Sequence, residues 1–491
     1  MYKKAVVLAV VVAITLVAGP YLLGAMAEER LRHELSQYES KKIFPPGVSV
    51  ILKDYQRGWL RSSALTTLVI DLEEMGYGDL LEDSAAAEKR IELDFSNEIQ
   101  HGPIVSRPSM GLALASVNTR IVVPEAYKNI VSYYFPDGEP FNQHAVISFD
   151  DRLEATYSVP PYQGKSHVGD ITIAWEGMQG EVQGSIDDKY VHKATIPLIS
   201  IAEGDAKLVL KSVHLGGDAA YSANGIAIGD VVLSAESLKV RFKADNGVSH
   251  ILSASDVAVR AKTDITNGLL DIAEEFSFAS ISLNEHSVGR GLLHVDINNI
   301  DADSFTEYQE IVWELQRNGF DDEEMRAALA EQAPALISKV LRRSPRLSVS
   351  QMQVETDHGV VAGHFKLSFD AKDDADIILS AESLMPRLGL DTHIKVPEAL
   401  VRVIVASMVA KRMTNSIDAS GEQPDAKTLA EMQAAAIDAT LGQITAMNLL
   451  KLEEGYYSAS LQYNEGKLML NGSAADHIMQ TVPQMLGGGV L

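Results

Sequence analysis

The sequence predicts an α+β fold: a long, curved, mostly antiparallel β-sheet with several packed helices, preceded by one N-terminal transmembrane helix. Three observations carry that expectation. An uncharged apolar stretch follows Lys3 and Lys4 and runs to about Ala27. From Val48 to Asp303 apolar and polar residues alternate with period two, punctuated by Gly, Asn and Asp clusters, the signature of an antiparallel meander. From Ser304 the period becomes helical, and strands return afterwards.

The N-terminal stretch is long enough to cross the roughly 30 Å hydrocarbon core at about 1.5 Å per helical residue. Lysines before it and Glu28 and Glu29 after it place the N-terminus inside and the bulk outside the cytoplasm. The expected location is therefore the inner membrane, single-pass, with the bulk in the periplasm. Ala25-Met26-Ala27 also resembles a signal-peptidase site, and cleavage there would leave a soluble periplasmic protein. The expected organisation is an anchor or signal peptide over 1–27, a membrane-proximal helix and linker over 28–47, a β-rich region over 48–303, a mixed α/β region over 304–480 and a tail over 481–491.

Within the β-rich region, Pro124 to Phe135 reads as a short helix with proline in its first turn. Ser304 followed by Glu307 reads as a capping box opening a helix that Asn318-Gly319 closes. A second helix follows, bent or broken before Pro334. Strands return after Arg346 with a hairpin at Asp357-His358-Gly359. Two helices, about 397–413 and 428–447, precede a final hairpin turning at Asn464-Glu465-Gly466. The hexapeptide LSAESL occurs at Leu233–Leu238 and Leu379–Leu384, which reads either as a trace of two related β units or as chance similarity.

Composition narrows the function classes. The 491 residues are 46% hydrophobic and 22% charged, as in globular proteins. Lys+Arg is 42 against Asp+Glu 67, a net charge of −25, so the surface repels nucleic acid and anionic headgroups on average and no nucleic-acid partner is expected. The one basic run, Leu341 to Arg346, reads as a solvated helix end. With no cysteine, the chain holds no disulfide, thiolate-bound zinc or iron–sulfur cluster. The thirteen histidines are scattered singly, and no HExxH, G-x-S-x-G, Walker A or Rossmann pattern occurs. The oxygen-rich DINNIDADSF and DAKDDAD segments do not match the EF-hand frame and read as turns. No cofactor, metal or catalytic residue is expected.

Trp175 and Trp313 read as core anchors. The stretch YQRGWLRSS (Tyr55 to Ser63) reads as a sheet corner: Gly58 for the bend, Trp59 as an apolar anchor, Ser62 and Ser63 bonded to turn amides. Trp59 has a second reading, contact with lipid headgroups, because it follows the membrane segment closely. Ser62 has no base in sequence reach, although a distant histidine can approach it in the fold.

Together, YQRGWLRSS, IQHGP (Ile99 to Pro103), RSPRLSVSQMQVETDHGVVAGHFKLSF and NEGKLMLNG (Asn464 to Gly472) resemble, in that order, the YdgA-like bacterial family of unknown function. The resemblance implies a membrane-anchored protein facing the periplasm of a Gram-negative-type envelope. It singles out Gly58, Trp59, Ser62, His101, Gly102, Pro103, Asn471 and Gly472 as family-like positions of unknown role. The expected function is non-enzymatic: binding an apolar or lipidic ligand, or supporting envelope assembly. The alternative is a hydrolase whose site is assembled from distant residues.

Overall fold

The structure, a computed structural model, describes residues 22–33, 35–36, 47–75, 90–105, 111–166, 170–185, 189–244, 247–318, 320, 322–371, 379–420 and 425–475. The fold is α+β and mostly antiparallel sheet, as the alternation predicts. The chain divides into two compact units.

The first unit holds residues 1–253, 257–268 and 302–336. It opens with helix α1 (22–33). A meander follows: β1 (Val48–Gln56), β2 (Arg61–Asp71), β3 (Arg90–His101), a small side hairpin of β4 (Ile104–Val105) and β5 (Gly111–Leu112), then β6 (Ala115–Val122), β7 (Asn142–Ile147) and β8 (Leu153–Val159). Strands β1, β2, β3, β6, β7 and β8 pair in that order, each antiparallel to the last. Between β6 and β7 lie a 3-10 turn (Glu125–Tyr127) and α2 (Lys128–Tyr134), where the sequence predicts a helix.

Strand β9 (Tyr162–Lys165) continues β8 beyond Pro160-Pro161, and β10 (Thr172–Trp175) continues into β11 (Met178–Gly184) beyond Glu176-Gly177. They form one interrupted hairpin, because proline offers no ladder donor. Trp175 is half-buried there and its Nε1 donates to the Pro160 carbonyl (3.1 Å). Four long strands follow, β12 (Tyr190–Glu203), β13 (Ala206–Tyr221), β14 (Ala227–Lys243) and β15 (Ser249–Thr266). Strand β12 spans both halves of the interrupted hairpin and then pairs β13, which pairs β14.

Helix α3 (Ala302–Arg317) begins two residues before the expected cap at Ser304, which is buried in the first turn. The Ala302 amide donates to the Gly268 carbonyl, so the chain enters the helix already tied down. Helix α4 (Asp322–Leu341) runs through Pro334 instead of breaking before it.

The second unit holds residues 254–256, 269–301 and 337–491. Its strands are β16 (Leu269–Phe278), β17 (Ser280–Leu283), β18 (His286–Val288), β19 (Gly291–Asp301), β20 (Arg346–Thr356), β21 (Gly359–Phe369), β22 (Leu388–Pro397), β23 (Lys451–Glu453), β24 (Tyr456–Asn464), β25 (Lys467–Leu470) and β26 (Ser473–Ala474). The ladder runs β16-β19-β20-β21-β22-β24-β25-β26, all antiparallel. Helices α5 (Ala381–Leu384), α6 (Glu398–Ser420) and α7 (Ala426–Ala446) complete it. Val405 and Val409 of α6 pack with Leu441 of α7 and Tyr457 of β24.

Three expectations are corrected here. Strand β22, central to this ladder, is absent from the sequence reading. Helix α6 extends to Ser420, through most of the expected polar loop, because Gly421 and Pro424 come only afterwards. LSAESL is strand in β14, whereas its second copy places Ser380 as the N-cap of α5, so the repeat does not mark two like units. Its conformation is set by tertiary context, which outweighs weak local propensity.

Among the described residues, no helix is long and apolar enough to cross a membrane. Residues 1–21 of the expected anchor, the DAKDDAD run from Lys372 on and the 481–491 tail lie outside the described residues. Residues 22–27 of the expected anchor fall in the first part of α1, where Gly24 lies over His101 and Ala27 packs with Ala64, Ile99 and Ala115.

Candidate functional site

Helix α1 presents Gly24, Ala27 and Leu31 on one face, a spacing of three and four residues that lines a helix stripe. Ala27 packs with Ala64 of β2, Ile99 of β3 and Ala115 of β6, and Leu31, Leu52, Tyr55 and Val117 border that cluster. Glu28 accepts from Arg57 and Arg32, and the Arg57 bond holds its carboxyl below the usual glutamate range. Arg30 donates to Ser185 Oγ (3.2 Å). Small residues line both sides of this contact, which lets the helix backbone approach the sheet closely.

At the head of the seat lies His101. Its ring is 2% exposed and sits directly beneath Gly24, where a Cβ would fall 2.2 Å from Cε1. Nδ1 is 3.0 Å from the Trp59 carbonyl and Nε2 is 2.8 Å from Ser62 Oγ. A carbonyl only accepts, so Nδ1 carries the proton; in the neutral ring Nε2 then accepts from the Ser62 hydroxyl. The Tyr55 hydroxyl donates to the Gly24 carbonyl (3.5 Å), and burial pushes its pKa up. Two segments 39 positions apart, YQRGWLRSS and IQHGP, thus form one seat for α1.

The other family-like positions here also build the corner. Gly58 needs its missing side chain because a Cβ would meet the Arg61 carbonyl at 2.2 Å; its φ is not in the left-handed region. Gly102 approaches the Ala113 carbonyl so closely that a Cβ would lie 1.9 Å away, and its amide donates to the Leu114 carbonyl. The Gly102–Pro103 peptide is cis, and the Pro103 carbonyl accepts from Ala113. Trp59 departs from expectation: its ring is 55% exposed, so it is no core anchor. It stands in the bend between β1 and β2, where its carbonyl, not its ring, makes the structural bond.

Asn471 and Gly472 lie in the second unit and turn the β25–β26 hairpin with φ of +50° and +78°, as an Asn-Gly turn does. Asn471 is buried; its Oδ1 accepts from the Ser460 amide (2.7 Å) and its Nδ2 donates to the Asn448 and Leu449 carbonyls. It fastens the end of α7 to β24.

A second feature of the first unit was not legible as a site. Across β12, β13 and β14, Ile199, Leu210 and Leu238 stand in one row and Ile201, Leu208 and Val240 in the next. Rows two residues apart share a face. None of these six side chains is fully buried, and Ile201 is 40% exposed. The opposite face carries Lys207, Lys211, Lys239 and Arg241, all exposed, with Lys207 directly across from Arg241. Alternation hides this basic patch from any search for a run. Among the described residues no group of three or more His, Asp or Glu could hold a metal ion. Asn299 and Asp301 of the DINNIDADSF segment are engaged by Asp271, Ser344 and Arg343.

The sequence pattern of a bacterial protein family of unknown function, DUF945, matches residues 1–476. The chain belongs to this family. The YdgA-like resemblance agrees with that membership. All eight family-like positions named above fall within the matched span. Neither a curated protein nor a solved structure matches the chain.

Proposed function

We propose that this family member is a non-enzymatic, inner-membrane-anchored periplasmic protein that holds an apolar or lipidic ligand. The observation that carries the reading is the face of Ile199, Ile201, Leu208, Leu210, Leu238 and Val240, none of which is fully buried by the described residues. An apolar sheet face needs cover from helices, from another sheet or from a ligand. An acyl chain suits it because the apolar stretch after Lys3 and Lys4 ties the same unit to a bilayer. The seat of α1 favours a retained anchor, since cleavage after Ala27 would remove both Gly24 and Ala27 from it.

The contact between Ser62 and His101 is what a hydrolase would require. Here the two are 5% and 2% exposed beneath α1, and Nδ1 faces a carbonyl instead of a carboxylate. We read the pair as a latch for the helix.

The test is lipid analysis of the full chain purified from its membrane, beside Ile201→Asp and Leu208→Asp. Co-purifying lipid that falls in both variants, with folding unchanged, supports the reading. Equal lipid in all three, or none in the parent, defeats ligand binding. A periplasmic reporter fused after residue 40 that stays inactive, while a cytoplasmic one works, defeats the placement.

A further inference from the structure

The strand ends near the latch share a second property. In an antiparallel ladder, the end of β1, the start of β2, the end of β3, the start of β6 and the end of β7 all lie at one edge of the sheet. At that edge Trp59 and Leu60 occupy the β1–β2 bend, Ile104 and Leu112 pair across the β4–β5 hairpin, and Phe149 occupies the β7–β8 turn. Each of these five large apolar side chains is between 52% and 72% exposed. The backbone beneath them is firmly held: Val105, Ala113 and Val146 form a buried cluster, and the His101 and Gly102 amides donate to Leu60 and Leu114. The exposure is therefore not loose packing.

The same edge is where the N-terminal chain departs. Gly24 seats on His101 at the end of β3, while Ala27 lies further along the strands, so α1 points its start toward the rim. Leu22, at the start of α1, is 62% exposed, and the chain before it is uncharged back to Ala5.

We propose that this rim is a membrane-contact surface: Trp59, Leu60, Ile104, Leu112 and Phe149 enter the interfacial layer of the bilayer that the N-terminal stretch crosses. Aromatic side chains favour that layer, where an apolar ring and a polar edge are both accommodated. With α1 latched at its head and the rim in the interface, the sheet stands at a fixed height and angle instead of hanging from a flexible tether. The inference rests on the anchored reading above, and adds which surface faces the lipid.

The test uses the full chain in vesicles of phosphatidylethanolamine and phosphatidylglycerol, with and without brominated acyl chains. Trp59 is made the only tryptophan by Trp175→Phe and Trp313→Phe. Independently, Leu112→Cys and, at the far end of β6, Val122→Cys each give a unique labelling site, because the chain has no cysteine. The expected result is quenching of Trp59 and of the residue-112 label by brominated lipid, loss of their quenching by aqueous iodide, and an iodide-accessible label at 122. If the chain floats with vesicles but Trp59 and the 112 label remain open to iodide, the rim is overturned while anchoring stands. Shielding that depends on protein density and not on brominated lipid assigns the rim to a second copy and overturns the proposal. A chain that does not float with vesicles removes the anchoring reading and the rim together.

Discussion

Gly24→Ala is the smallest change that should lift α1 from its seat. The new methyl would lie 2.2 Å from Cε1, 2.5 Å from Nδ1 and 2.7 Å from Nε2 of His101. The ring cannot retreat without losing its bonds to Ser62 and the Trp59 carbonyl. Forcing a methyl into packed space costs about 1–3 kcal/mol. Against that stands a modest docking energy. The buried Ala27 methyl contributes about 0.8 kcal/mol and the half-buried Leu31 about 1 kcal/mol. The Glu28–Arg57 pair, partly open to water, adds about 0.2–1 kcal/mol. The Arg30–Ser185 and Tyr55–Gly24 hydrogen bonds add about 0.5–1.5 kcal/mol each, so the penalty removes a large share of the docking energy and the undocked population should rise. Alanine meanwhile raises intrinsic helix propensity by about 1 kcal/mol over glycine, so helicity should not fall. Hydrogen exchange of the full chain separates the two effects: amide protection at His101 and Gly102 should drop by about tenfold or more, since about 1.4 kcal/mol is a factor of ten. Gly442→Ala in α7, where no heavy atom lies within 4 Å of the added methyl, is the control and should stabilise. Unchanged protection at residues 101 and 102 in Gly24→Ala would refute the seating of α1 on His101.

Trp59→Ala should leave stability within about 0.5 kcal/mol, as for exposed sites; a fall of several kcal/mol in urea unfolding would mean the ring is buried. Asn471→Ala should destabilise the second unit by about 2–4 kcal/mol, because it removes the partner of the part-buried Ser460 amide and of two carbonyls and puts alanine at positive φ. A near-neutral result in proteolysis of that unit would refute the clamp. The Glu28 pKa is depressed in the folded state, so its contribution to docking is present above the ordinary glutamate range and is lost as pH falls through the folded value. Exchange of the α1 amides, corrected for intrinsic rates, should therefore rise on acidification in the parent and change less in Glu28→Gln; equal pH dependence would exclude Glu28 as the cause.

The physics of the chain explains which parts its sequence discloses. Period-two runs disclosed the strands, and Asn464-Glu465-Gly466 disclosed its hairpin, because both signals are local; Glu465 and Gly466 take φ of +49° and +80° in that turn. The Ser62–His101 contact was invisible because β2 and β3 bring it together through register, not spacing. Strand β22 carries the same period-two signal, Leu388, Leu390, Ile394 and Val396 alternating with Asp391, His393 and Lys395, so it is legible in the sequence although the sequence reading omits it. Trp59 was misplaced because composition speaks for burial, whereas the bend that holds it turns its ring outward. LSAESL carries too little intrinsic preference to choose between strand and helix by itself.

Strands β13, β14 and β15 are 16, 17 and 18 residues long, against a usual strand of about five or six. At about 3.3 Å per residue each reaches about 50–60 Å. One leaflet of a bilayer has a hydrocarbon depth of about 15 Å, half the thickness of the core. A lipid tail laid along these strands would therefore occupy only about a quarter of their length. Ligand counting by native mass spectrometry then becomes a ruler: several tails per chain would indicate an apolar strip in use from end to end, and a single tail would confine occupancy to one stretch such as the Ile199 and Ile201 rows.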